Sequence, residues 1–208
     1  MINKTIRIKI CGMTREIDIQ HAVNIGANAI GLIFYPKSRR FISVDDAIKL
    51  VESIPAFVDI VAVFVNPTVD EVNNVITQLP VQFLQFHGEE TPDFCEQFSL
   101  PYIKSIPATS TEDIMKASIE HHKSKGILLD TPSSLHRGGS GVSFDWRIIP
   151  ANLTKPIILA GGLDSLNIRE AIATFRPFAV DLCSGVELTP GIKDHDKMSK
   201  FVEIIRSI

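Results

Sequence analysis

Cysteine is scarce in this chain, with three in 208 residues, at positions 11, 95 and 183. Spaced that widely, they supply neither a disulfide framework nor a C-x-x-C metal site, as expected for a protein of a reducing compartment. Blocks of basic residues are absent too, and a net charge of −3 exerts no general pull on nucleic acid. No apolar run approaches the roughly 18 to 20 residues that a membrane-spanning helix needs. The N-terminus moves straight into a strand pattern, without an apolar signal region or a small-residue cleavage site. The expectation is a cytoplasmic protein with no membrane or nucleic-acid partner. What remains is an ordinary globular composition, 45% hydrophobic and 22% charged.

Short apolar runs recur along the chain at 6–10, 29–34, 58–65, 81–86, 102–106, 126–129, 156–160 and 178–182. Each is rich in Val, Ile, Leu or Phe, the pattern of strands covered on both faces. Helical patterns with start signals lie between them. Thr14 precedes 15–23, and Ser43 to Asp46 and Thr68 to Glu71 read as capping boxes. Pro92 follows Thr91 as a first helical residue, Ser110 opens 111–121, Asp164 opens 165–174 and Asp194 opens 195–206. A short helix is expected around 144–149. Eight strands alternating with eight helices demand a parallel sheet with right-handed crossovers. Eight such units favour closure into a (β/α)₈ TIM barrel, a single compact domain over 1–208. An open dinucleotide-binding sheet is disfavoured, because no G-x-G-x-x-G follows the first strand.

In such a barrel the residues just after each strand meet at one rim. Cys11 follows the first strand, and a thiol there is either a proton-transfer group or a small hydrophobe. Lys37, Arg39 and Arg40 follow the second strand, where an arginine suits a two-pronged grip on a carboxylate or is simply solvated. His87 follows the fourth strand and reads as structural or substrate-orienting. Asp130 ends the sixth, ahead of a glycine cluster at 138–141 that reads as a lid or a flexible surface loop. Gly161 and Gly162 follow the seventh strand, and Ser184 and Gly185 the eighth. Glycines at adjacent strand ends let exposed N–H groups hold a phosphate. His121 and His122 read as a solvated helix face, Cys95 as buried packing, and Trp146 as packing for the short sixth helix.

Taken in order, several segments resemble phosphoribosylanthranilate isomerase. They are Lys9-Ile10-Cys11-Gly12-Met13-Thr14, Phe34-Tyr35-Pro36-Lys37-Ser38-Arg39-Arg40, Gln85-Phe86-His87-Gly88-Glu89-Glu90 and Leu128-Leu129-Asp130. Further matches are Gly138-Gly139-Ser140-Gly141 with Phe144-Asp145-Trp146, Ala160-Gly161-Gly162-Leu163 and Asp181-Leu182-Cys183-Ser184-Gly185-Val186-Glu187. The resemblance implies an isomerase of tryptophan biosynthesis that performs an Amadori rearrangement, aminoaldose to aminoketose, with no cofactor or metal. It implies Cys11 as general base, Asp130 as general acid and Arg40 as partner of the anthranilate carboxylate. His87, Gly141, Gly161, Gly162, Ser184 and Gly185 would complete the substrate site. One departure is Cys183, where the family pattern leads one to expect a small polar residue such as serine.

The chemistry suits these residues, since an acid and a base must coexist in opposite protonation states near neutral pH. The apolar strand before Asp130 would raise its pKa by desolvation, and the helix start after Cys11 would favour a thiolate. Strand periodicity puts Lys9 and Arg7 on the Cys11 face and Asp181 on the Cys183 face. The first and eighth strands are neighbours in a closed barrel, so Lys9 is expected to pair with Asp181, and the two thiols to lie close. The alternatives are another sugar-phosphate barrel enzyme and a non-catalytic barrel that binds a phosphorylated ligand. A metal-dependent epimerase would want more histidines at the rim than His87, and an indole-glycerol-phosphate synthase would want rim lysines beyond Lys37. The expected partner is a phosphorylated small molecule. A monomer is the default, with a homodimer left open.

Overall fold

A computed structural model describes residues 5–132 and 144–208. Its eight parallel strands are β1 (Arg7–Cys11), β2 (Ala29–Ile33), β3 (Asp59–Phe64), β4 (Phe83–Phe86), β5 (Tyr102–Pro107), β6 (Gly126–Asp130), β7 (Ile157–Leu159) and β8 (Ala179–Leu182). They close into a barrel in chain order, β8 pairing with β1. Helices α1 (Glu16–Asn24), α2 (Val44–Val51), α3 (Val69–Gln78), α4 (Pro92–Glu96) and α5 (Thr111–Glu120) follow the first five strands. Helices α6 (Ile168–Thr174) and α7 (His195–Arg206) follow β7 and lie beyond β8. Between β6 and β7 the described residues form a 3₁₀ turn, Trp146–Ile148, in place of an eighth α-helix. Trp146 is buried there, as its sequence context implies.

The strands read as continuous apolar runs because both faces are covered. On β3, Ile60, Ala62 and Phe64 join the cluster beneath the helices, whereas Val61 and Val63 fill the interior with Cys11. On β6, Ile127 and Leu129 face outward and Leu128 inward. The same alternation on β1 sends Ile8 and Ile10 to the helices and Cys11 to the interior.

Side-chain caps start most helices where expected. Ser43, Thr91, Ser110 and Asp194 each accept a bond from the backbone three residues on, and Thr68 with Glu71 completes a reciprocal box. Two starts differ. Thr14 donates its hydroxyl to the Gly191 carbonyl, 2.5 Å away, so α1 begins at Glu16 without a side-chain cap. Asp164 accepts from the Leu166 and Asn167 N–H groups, which closes a turn, and α6 begins only at Ile168. His121 also departs from expectation: it is 5% exposed, with its Nδ1 facing the Tyr102 hydroxyl at 3.4 Å. Burial pushes its imidazole down to about 4. His122 is exposed, as expected.

After β8 the chain forms a 3₁₀ turn (Ser184–Val186) and a small antiparallel hairpin, β9 (Glu187–Thr189) and β10 (Ile192–Lys193). The sequence carries no periodic signal for it, because strands of two or three residues are too short to show one.

Candidate active site

A cavity of about 400 Å³ opens at the C-terminal mouth of the barrel. Cys11, Arg40, His87, Asp130, Gly161, Gly162, Ser184 and Gly185 all line it, so the closed sheet gathers them from β1, β2, β4, β6, β7 and β8. Gly141 lies outside the described residues. Of the three cations after β2, only Arg40 turns in, while Lys37 and Arg39 are exposed.

Cys11 is the last residue of β1 and is 5% exposed. Gly31, its neighbour on β2, leaves it room, because a Cβ there would sit 2.6 Å from the Cys11 sulfur. Below it Lys9 pairs with Asp181 at 2.8 Å, the two facing each other in register across the β1–β8 seam. That is the pair the alternation implied. Burial opposes the Lys9 charge, but Asp181 and Cys11 outweigh it and hold its pKa above the ordinary lysine value. Burial drives the Asp181 carboxyl up to about 7, with Lys9 working against the rise. Its Oδ1 is buried without a hydrogen-bond partner among the described residues.

Cys183 packs against Cys11 at the rim, so the two sulfur-bearing residues lie close, as strand pairing implied. The neighbouring Cys183 thiol, set against burial and helped by Lys9 and Lys193, holds the Cys11 thiol well below its ordinary pKa, while Cys183 itself rises well above. The departure at position 183 therefore serves the thiol of β1.

On the opposite wall, Asp130 ends β6. Its Oδ1 accepts from the Thr131 N–H at 2.7 Å, and its Oδ2 lies 3.0 Å from His87 Nε2. Gln85 reaches His87 Nδ1 at 3.0 Å, so the imidazole is gripped at both nitrogens and presents Nε2 to the carboxyl. The loop carrying His87 is held from behind. Buried Lys104 donates to the Phe86 and Gly88 carbonyls and to Glu90, and Glu90 accepts from the Asn66 and Gly88 N–H groups. Gly161 takes φ +77, and a Cβ there would come within 2.7 Å of Asp130 Oδ1 and closer still to Thr131. Gly162 also has positive φ, so both stand in a loop ahead of the late-starting α6 and not at a helix start.

Sequence reasoning passed over two charged residues. Glu187 on β9 and Lys193 on β10 are almost completely buried, and Glu187 grips Arg40. Glu187 closes the last of the segments that carry the resemblance, and Lys193 lies beyond them.

The comparisons agree with this architecture. The family model described as N-(5′phosphoribosyl)anthranilate (PRA) isomerase matches residues 8–204. The N-(5′-phosphoribosyl)anthranilate isomerase of Legionella pneumophila (strain Paris) is 56% identical over 200 residues, covering 96% of this chain and 97% of the relative. That of Pseudomonas fluorescens (strain SBW25) is 46% identical over 202 residues, covering 97% and 96%. Among solved structures, phosphoribosyl anthranilate isomerase from Thermotoga maritima superposes with a TM-score of 0.90 at 38% identity, covering 98% of this chain and 100% of that one. A phosphoribosyl anthranilate isomerase in complex with reduced 1-(o-carboxyphenylamino)-1-deoxyribulose 5-phosphate does so with a TM-score of 0.87 at 36% identity, with the same coverage. On both the match across nearly its whole length and the shared barrel, the chain belongs to the N-(5′-phosphoribosyl)anthranilate isomerase family.

Proposed function

We propose that this chain converts N-(5′-phosphoribosyl)anthranilate to 1-(o-carboxyphenylamino)-1-deoxyribulose 5-phosphate, a step of tryptophan biosynthesis in the cytoplasm, with Asp130 as general acid and Cys11 as general base. Asp130 gives its proton to the furanose ring oxygen, and the C1′–O bond breaks to leave an iminium ion. That cation acidifies the C2′–H bond, and the Cys11 thiolate removes the proton. The electron pair flows into a C1′=C2′ double bond, giving an enol-amine that tautomerises to the ketone. His87 orients the Asp130 carboxyl. The outer edge of Arg40 receives the anthranilate carboxylate, and the backbone N–H groups of Gly161, Gly162, Ser184 and Gly185 hold the phosphate.

One observation carries this reading: a buried thiol and a carboxyl hydrogen-bonded to an imidazole open into the same cavity from different strands. The test is turnover of the aminoaldose by purified protein. Cys11→Ala and Asp130→Ala should each lower kcat by about 10²- to 10⁴-fold, the usual worth of a positioned acid or base. Near-native turnover by either variant would remove its assignment.

A further inference from the structure

Arg40 does not face the cavity unaided. Its Nε donates to Glu187 Oε1 at 2.8 Å and its Nη2 to Oε2 at 2.7 Å, a two-pronged bond along one edge of the guanidinium. Of the group's five N–H donors this leaves the Nη1 pair and the second Nη2 hydrogen, which form the other edge. The rotation of Arg40 about its long stem is thereby fixed by where Glu187 sits.

Glu187 is itself fixed. Its side chain is 4% exposed and also accepts from Lys193 Nζ at 2.9 Å and the Gly191 N–H at 3.2 Å. Lys193 is wholly buried and directs its ammonium at three acceptors: Glu187, the Cys11 carbonyl at 2.6 Å and the Cys183 carbonyl at 3.2 Å. Those carbonyls belong to the residues that carry the two thiols. The hairpin makes this possible, since Lys193 and Glu187 face each other in its antiparallel register. The Lys193 N–H is anchored in turn on buried Asp18 at 3.1 Å.

We infer that Glu187 and Lys193 are positioning residues: Glu187 aims the free edge of Arg40 at the carboxylate of the substrate's aromatic ring, and Lys193 locks that aim to the strand ends bearing Cys11 and Cys183. This rests on the reading of Arg40 as the carboxylate partner. Apolar residues of similar volume are often at least as stabilising as a buried ion pair, so a positioning use accounts for this one better than stability does. Here the pair transmits orientation from the thiol to the arginine.

The test compares two stable ligands, reduced 1-(o-carboxyphenylamino)-1-deoxyribulose 5-phosphate and its phenylamino counterpart lacking the carboxyl. Glu187→Gln should weaken the carboxylated ligand about tenfold and leave the other within about twofold, as losing one aimed charge-assisted bond would do. Arg40→Ala should show the same discrimination, and Glu187→Gln in that background should add nothing. Equal weakening of both ligands by Glu187→Gln would mean a structural role only and overturn the inference, while Arg40→Ala still tests the reading beneath it. If Arg40→Ala fails to discriminate, that reading falls instead. Should the Glu187 variant not fold, the unsubstituted protein still decides. The Arg40 Nε–H resonance should stay hydrogen-bonded when the carboxylated ligand binds, and its release would overturn the proposal.

Discussion

The two walls of the cavity hold their ionisable groups in opposite ways. On the β1–β8 wall they are dry: the Lys9 and Asp181 side chains keep 5% and 7% of their surface, and each buried cation faces an anion. On the β4–β6 wall, His87 and Asp130 keep 32% and 27%, and neutral groups (the Gln85 amide and the Thr131 N–H) supply part of their bonding. A charge removed from water needs a complete set of partners, so the thiol wall has to be built as one electrostatic unit. His87 and Asp130 stay partly open to solvent, while the ion pair on that side, Lys104 with Glu90, is buried behind the loop that carries His87. Losing a member of the dry wall should therefore damage folding and chemistry together, whereas losing the half-exposed His87 should lower activity alone.

The largest contrast is expected between Lys9→Met and His87→Ala. The first leaves Asp181 buried without its cation and should cost about 3–5 kcal/mol in urea unfolding. It should also move the acidic limb of the kcat/KM profile to higher pH, since the thiolate loses an adjacent positive charge. His87→Ala should lower kcat yet change stability by less than about 1 kcal/mol. Equal unfolding costs for the two variants would break the comparison.

Next in size is a buried group away from both walls. The imidazole of His121 sits at about 4 in the folded chain against an ordinary 6.5. The unfolded chain therefore takes up the proton first as pH falls. The contribution of this group should be complete above pH 6.5 and be lost between 6.5 and 4, by about 3 kcal/mol. His121→Phe should flatten that part of the stability profile, as measured by denaturation at a series of pH values. An unchanged slope would show that the acid loss arises elsewhere.

The smallest effect sharpens the thiol wall itself. Cys183→Ala removes the neighbouring thiol that favours the Cys11 thiolate, so the acidic limb should move to higher pH. Cys183→Ser, which keeps a donor, should restore most of the shift. A profile indifferent to both variants would leave Lys9 and Lys193 as the source of the lowered thiol.

Much of this was readable from residue order. Closure of eight apolar runs dictates that strand-end residues converge, which brings Cys11, His87 and Asp130 together whatever their separation in sequence. Period-two alternation placed Lys9 opposite Asp181. What escaped depends on long-range partners. Thr14 resembles a cap but bonds to Gly191, and Asp164 closes a turn before α6 begins. Glu187 and Lys193 look like solvated loop charges until the hairpin folds them beneath Arg40. His121 has the company of polar residues in sequence and of Tyr102 in space.

The seam between β1 and β8 has a consequence for biosynthesis. Lys9, below Cys11, acquires its counter-ion, and Cys11 its sulfur neighbour, only when the eighth strand arrives, long after the first has left the ribosome. Contacts so distant along the polypeptide form late, because the intervening loop must first be closed. A nascent or truncated chain should therefore carry a dormant thiol, with the proposed proton abstraction awakening only as the eighth strand seals the ring.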